Sequence, residues 1–215
     1  MKKQFCGLLY DTGFVHSPDP DHEEANHNSA NTKLIKAVLC AGLYPNVAKI
    51  VQTRPDRPPK LFDQDTKVKF HPKSVNSDET TFNNKFVIYH TKVKSTAVFL
   101  HDTSMIPPFP LLFFGGNISV ERDGDQQIIA VDKWIKFQAP HRIAMLVKEM
   151  RQQLDVVLRQ KVSSPRMDLY TPLSPSPSAS SQLIQSIIDL IASEDYQWQA
   201  QRLAAGKHLY IRRGK

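Results

Sequence analysis

Thr66-Lys67-Val68-Lys69-Phe70-His71-Pro72-Lys73-Ser74-Val75-Asn76 and, further on, Phe86-Val87-Ile88-Tyr89-His90-Thr91-Lys92-Val93-Lys94 are the stretches on which the fold turns. Both alternate. In the first, Val68 and Phe70 point one way while Lys67, Lys69 and His71 point the other, the period of a half-buried strand. In the second, Val87, Tyr89 and Val93 share one face, and His90, Lys92 and Lys94 share the opposite one with Phe86 and Ile88. Each strand can lay an apolar side into a core and keep a cationic stripe outside, beside aromatic surface. Single-strand binders combine such cations with planar groups; lysines of this kind are equally the solvated face of an ordinary strand. Residues 71–76 add an imidazole, an ammonium, a hydroxyl and an amide on a loop stiffened by Pro72. Those groups can bond base edges or phosphates, and Ser74 and Asn76 are also common turn residues.

Outward from this centre, short β-branched and aromatic runs recur between turn signals: Val47–Gln52, Ala97–His101, Ile118–Arg122, Gln127–Val131 and Trp134–Gln138. That spacing fits a sandwich or a small barrel. Asp123-Gly124 between two alternating runs signals a hairpin with a type I′ turn. The block 105–116 is apolar, with Pro107, Pro108 and Pro110. It reads as a buried connector rather than a long helix, with Gly115 and Gly116 at a bend.

Helical patterns flank the strands. Residues 1–14 form a short helix with Phe5, Leu8 and Leu9 on one side, ended by Gly13. Residues 15–28 are a polar loop. A second helix starts at Asn28 or Ser29, carries Leu34, Ile35, Val38, Leu39 and Leu43 as its apolar face, and stops at Pro45. A third begins at Pro140 with a stripe of Ile143, Leu146, Val147, Met150, Leu154, Val157 and Leu158, expected to pack on the strands. Residues 163–181 hold seven serines and four prolines, a flexible linker. A last helix over 182–194 presents Leu183, Ile184, Ile187, Ile188 and Ile191. From Tyr196 on, five Lys or Arg and no acid make a basic tail, read as a solvated, frayed end.

The net charge of +7 and pI near 9.4 fit a polyanionic partner, and between Pro45 and Ser104 ten Lys or Arg face six acids, so the strand-rich region is also the basic one. Two cysteines without a C-x-x-C pair speak against a thiolate metal site. No apolar run approaches the ~20 residues of a membrane span, and the N-terminus does not read as a signal peptide, so a cytoplasmic or nuclear protein is expected. No G-x-x-x-x-G-K-[ST] loop, G-x-S-x-G elbow or H-E-x-x-H motif occurs. Asp21-His22-Glu23-Glu24 follows no apolar strand and reads as a solvated acidic loop. The chain by itself is expected to be no enzyme and to need no cofactor.

Six separated segments together resemble the C-terminal region of DEAH-box, RHA-type RNA helicases. They are Leu34–Ala48, His71–Asn76, Phe86–His90, Leu111–Gly116, Trp134–Phe137 and the helix after Pro140, and the nearest branch is the G-quadruplex-resolving one. The resemblance covers about residues 1–162. It implies an α+β chain. Residues 1–44 are the end of the helical helicase-associated (ratchet) region, 45–139 an OB-fold and 140–162 its terminal helix; residues 163–181 and 182–215 lie beyond. It implies an ATP-dependent motor of RecA-like domains N-terminal to Met1, and partners in single-stranded RNA or DNA, G-quadruplexes among them, and in that RecA-like core. It implies that the loop from His71 to Asn76 faces the bound strand, giving contact roles to His71, Lys73, Ser74 and Asn76. With the strand cations, the candidate binding set is Lys67, Lys69, His71, Lys73, Ser74, Asn76, His90, Lys92 and Lys94. The rival reading is a protein-interaction module that docks on a helicase core through block 105–116 and touches RNA little.

Overall fold

The computed structural model describes residues 1–52, 57–123, 126–170 and 176–193. They fall into two compact units, one of Met1–Leu34 with Val157–Lys215 and one of Ile35–Val156.

The second unit is built on a closed five-stranded barrel. Its strands are β1 (Val47–Val51), β2 (Lys60–Asp63), β3 (Thr66–Phe70), β4 (Phe86–Lys94) and β5 (Val98–Ile106), in the order β1-β2-β3-β5-β4. All neighbours are antiparallel except β3 and β5. This is the OB-fold arrangement, in which closure leaves no long unpaired edge. The interior is filled by Ala48, Ile50, Leu61, Val68, Val87, Tyr89 and Leu100. These alternate with outward residues along β1, β2 and β3, as the strand period requires. β2 has no counterpart among the sequence-predicted strands. It contributes only Leu61 and Phe62 as apolar residues, too few for a visible alternation.

The later strand runs do not enter the barrel. β6 (Ile118–Asp123), β7 (Gln126–Val131) and β8 (Ile135–Gln138) form a separate antiparallel sheet. Asp123 stands opposite Gln126; the turn between them, including the expected Asp123-Gly124 step, reaches outside the described residues. This sheet covers the outer side of β4. Phe86 meets Trp134 at 6.3 Å and Phe137 at 5.5 Å between ring centroids, both edge-on, and Phe86 and Ile88 are buried.

Between β5 and β6 the expected irregular connector is a seven-residue helix, α4 (Pro108–Phe114). Its prolines are tolerated because Pro108 and Pro110 lie in the first turn, where backbone N–H groups have no helical partner. Pro110, Leu111, Leu112 and Phe113 are buried, so the block is core and not the partner-facing surface of the rival reading. Arg151 closes the helix's other end, donating to the carbonyl oxygens of Phe113 and, at 3.0 Å, Gly115. A side chain at Gly116 would collide with the Asp132 carboxylate. That carboxylate accepts from the Tyr44 hydroxyl and from the Asn117 backbone N–H.

The helix α5 (His141–Ser163) buries Ala144, Val147, Leu154 and Val157. The expected stripe was wider. Ile143, Leu146 and Leu158 lie exposed, so the buried face is narrow.

In the first unit, α1 (Lys2–Asp11) ends at Gly13, which takes a φ of +84°, as the sequence predicts. A four-residue helix, α2 (Glu23–Asn26), lies in the expected loop. The next helix, α3 (Thr32–Leu43), most of which belongs to the second unit, starts later than expected: its cap is Asn31, whose Oδ1 accepts from the Leu34 N–H at 3.1 Å, not Asn28 or Ser29. A final helix, α6, spans 179–193, with Ile187 and Ile191 buried. Ser178 caps it, its Oγ accepting from the Ser181 N–H at 3.1 Å. Lys33 donates to the Ala192 carbonyl oxygen near its other end at 2.6 Å.

The stretch read as a flexible linker is partly tied down. Lys161 donates to the Pro165 and Met167 carbonyl oxygens, and Tyr170 to Gln185 Oε1 at 2.7 Å. Residues 171–175 and the basic tail lie outside the described residues. Among the described residues no helix is long and apolar enough to cross a membrane.

One end of the barrel holds a polar lock. The Asp63 carboxylate, 9% exposed as a residue, accepts from the Tyr89 hydroxyl at 2.8 Å and from the Lys92 ammonium at 2.5 Å. A buried carboxylate without such donors is strongly unfavourable. Burial, and then the Asp63 hydrogen bond, raises the Tyr89 pKa from 10.0. The Asp63 hydrogen bond raises that of Lys92 from 10.5. A pKa raised by folding adds stability that is complete below the unfolded value and lost as pH climbs through the folded one. Both groups therefore favour the folded chain through neutral pH, and their contribution to Tm is expected to fade only above about pH 10. A Tm series from neutral to strongly alkaline pH checks this. Tyr89→Phe, which strips one donor from the buried carboxylate, is expected to cost about 1–3 kcal/mol in urea unfolding; an unchanged midpoint contradicts the lock.

Candidate nucleic-acid interface

The barrel's outer face follows from its register, because residues directly opposite one another share a face. Lys49 on β1 stands opposite Phe62 on β2, and Phe62 opposite Lys67 on β3. Lys69 on β3 stands opposite Phe99 on β5, and Phe99 opposite Val93 on β4. Two cross-strand rows thus interleave exposed lysines with half-buried aromatic rings. Beyond the second row β3 ends at His71, whose N–H bonds to the Leu100 carbonyl oxygen at 3.0 Å.

The structure divides the sequence-predicted residues. Lys67 and Lys69 are exposed on β3, and Lys73 is exposed on the following loop. His71 is half-buried, and its Nδ1 lies 3.2 Å from the Lys73 backbone N–H, which donates to it. Ser74 and Asn76 turn inward. Ser74 Oγ lies 3.0 Å from Thr103 Oγ1, and the Asn76 amide donates to Thr103 Oγ1 at 2.9 Å and to the Thr103 carbonyl oxygen at 3.1 Å. Thr103 is itself buried. These two side chains shape the loop, leaving Lys73 and the 88%-exposed Val75 outermost.

The β4 cations are not arranged as strict alternation predicts. Lys92 stands opposite the core residue Leu100, so it lies on the barrel side and meets Asp63. His90, Lys92 and Lys94 therefore do not form one stripe with Phe86 and Ile88. Two causes are visible. Opposite His90, Asp102 takes a φ of +51°, and alternation along β5 shifts from Leu100 to Thr103 across it. At the start of β4, Phe86 packs against Trp134 and Phe137 and Ile88 is buried as well. His90 is exposed, with Nδ1 3.1 Å from Thr91 Oγ1 and 3.5 Å from Asp102 Oδ2. Lys94 is exposed, opposite Val98.

Lys49, Phe62, Phe99 and His101 were not anticipated. Each becomes part of the face through its cross-strand partner, which sequence alone does not reveal. Among the described residues no three His, Cys, Asp or Glu side chains are placed to hold a metal ion. Within the first unit, His16 bridges Glu24 at 2.8 Å and Asp168 at 3.2 Å beside a cavity of about 310 Å³ walled by Phe14, Val157 and Leu169. The Glu24 hydrogen bond and charge raise its pKa above 6.5.

Replacing Thr103 by Val removes the hydroxyl that Ser74 and Asn76 share. The expected result is faster hydrogen exchange at residues 73–77 with barrel amides unchanged, and about 1 kcal/mol lost in unfolding; unchanged exchange in that loop contradicts the pinning.

Comparison with known proteins agrees with the architecture. Residues 35–118 match the family model described as an oligonucleotide/oligosaccharide-binding (OB)-fold, and residues 127–193 match the C-terminal domain in RNA helicases. The ATP-dependent DNA/RNA helicase DHX36 of Bos taurus is 45% identical over 199 residues, 91% of this chain and 19% of that protein. The protein of the same name from Homo sapiens aligns equally, and the ATP-dependent RNA helicase DHX29 of Mus musculus is 36% identical over 202 residues, 91% of this chain and 14% of that protein. The chain thus spans about one fifth or less of the length of these relatives. A closed β1-β2-β3-β5-β4 barrel inside one matched region and a second match running on to residue 193 lead to one conclusion: the chain belongs to the DEAH-box RNA helicases, as their C-terminal OB-fold region.

Proposed function

We propose that this chain grips a single strand of nucleic acid for a helicase motor that lies outside it. The observation that carries the reading is the pair of rows Lys49–Phe62–Lys67 and Lys69–Phe99–Val93 on the outside of a closed barrel. Exposed ammonium groups track phosphates, and the rings between them offer surface to bases. Lys73, held out by the pinned loop, extends the cationic track. The strand is RNA or DNA, in keeping with relatives named DNA/RNA helicases, and a strand drawn out of a G-quadruplex suits the same face. The site residues are Lys67, Lys69, His71 and Lys73, with Lys49, His90 and Lys94 at its margins. Ser74 and Asn76 act through loop shape, and Lys92 through the Asp63 lock. The ATP-driven step belongs to a RecA-like core.

A second contact has its own observation. On α3, Ile35, Val38 and Leu39 are 43–62% exposed, an apolar face suited to docking on that core. A nuclease-treated pull-down with the core separates this contact from one bridged by RNA.

The grip is tested by fluorescence anisotropy of the whole chain with labelled single-stranded RNA across a salt series. Affinity is expected to fall with salt by about 0.7 log units per log unit of salt for each neutralised phosphate. Lys67→Ala, Lys69→Ala and Lys73→Ala together are expected to flatten that slope by about 2. An unaltered slope in the triple variant, or binding indifferent to salt, overturns the assignment.

A further inference from the structure

We propose that the Phe99, His71 and His101 rings form a stacking shelf for one unpaired nucleobase of the bound strand, a subsite that rests on the grip described above. His71 and His101 lie nearly face to face, 4.1 Å between ring centroids at 31°, and Phe99 meets His71 at 6.0 Å and 79°. The parallel register that sets Lys69 beside Phe99 and Phe70 beside Leu100 carries His71 alongside His101. None of the three rings belongs to the barrel's interior cluster. All three keep part of their surface in solvent. One flank of His71 is taken by His101 and another by Phe99, whereas no described aromatic ring stacks on the far face of His101.

The His71 ring of the shelf is tethered to the loop backbone. The Lys73 N–H donates to His71 Nδ1, so the proton of a neutral ring sits on Nε2. The next residues of the loop are fastened to Thr103 through Ser74 and Asn76. On β5, Thr103 is two residues from His101, so one strand segment supports both the shelf and the loop. A planar group already oriented loses little freedom on stacking. Cations flank it: Lys69 stands opposite Phe99, and Lys73 follows His71. A strand whose phosphates follow those lysines brings its bases toward the rings. Ring faces read planarity and area, not hydrogen-bonding edges. The shelf is therefore expected to favour a purine over a pyrimidine without reading its identity, while the lysines carry the salt-dependent part of binding.

The test separates the two contributions. The whole chain is titrated into a labelled oligo(A) strand and into an abasic strand of equal length, in wild-type form and as His101→Ala and His101→Phe. Circular dichroism confirms folding of each. The expected results are that His101→Ala weakens oligo(A) binding by about fivefold or more, leaves abasic binding and the salt slope unchanged, and that His101→Phe, which keeps a ring but no imidazole nitrogen, restores oligo(A) affinity. Equal weakening of both strands by His101→Ala, or a His101→Phe variant as weak as His101→Ala, overturns the shelf while the lysine grip stands. Oligo(A) and abasic strands bound alike by the wild-type chain also overturn it. Absence of salt-dependent binding to either strand overturns the grip and the shelf together.

Discussion

A five-stranded sheet that closes on itself must pair its sequence-distant strands, and here Val47–Lys49 lie against Phe86–Ile88 while β3 runs parallel to β5. Everything at the candidate site depends on that closure. It places every inward residue against another wall of the same barrel, so small side chains such as Ala48 and Val68 fill the interior with Tyr89 and Leu100. It also fixes which residues are outside. Once Val68 and Leu100 are committed to the core, Lys67, Lys69 and Phe99 have only the outer surface left. The cationic face is thus a consequence of the core.

The two sides of β4 illustrate how neighbouring sheets divide the work. Its first half is buried on both faces, inside by the barrel and outside by β6–β8 through Phe86, Trp134 and Phe137. Its second half escapes that cover and carries exposed His90, Val93 and Lys94. The free face of the barrel therefore lies toward β1, β2, β3 and the far ends of β4 and β5. The Asp63–Tyr89–Lys92 lock closes that end with polar groups that satisfy one another, and it withdraws one lysine from the surface.

Much of this was legible in the sequence. Alternation in Thr66–Phe70 located β3, its inward Val68 and its outward lysines correctly, because a strand covered on one face obeys the simple period. The same logic misled in β4, where burial on both faces and the positive φ of Asp102 break the correspondence between parity and exposure. β2 was invisible because four residues cannot show a period. The three prolines of 105–116 obscured α4, since a helix's first turn forgives them where its interior does not. The loop from His71 to Asn76 was singled out, with Ser74 and Asn76 open to both a binding and a turn reading; their side chains bond to Thr103, a residue 27 to 29 positions away. Long-range partners of this kind also explain why Phe62, Phe99 and His101 went unnoticed. Their importance comes from which lysine or ring stands across the strand pair.

In the proposed grip, a nucleic-acid strand lies on the outer surface of β1–β3 and β5, continuous with the loop after His71. The most direct measurement is a backbone amide chemical-shift map of the isotopically labelled chain titrated with single-stranded RNA. Shifts are expected to concentrate at Lys67–Asn76, at Phe99–His101 and near Lys49 and Phe62, with β6–β8 and α5 little affected. Shifts concentrated on β6–β8 or α5, with β3 and its loop unmoved, would contradict it.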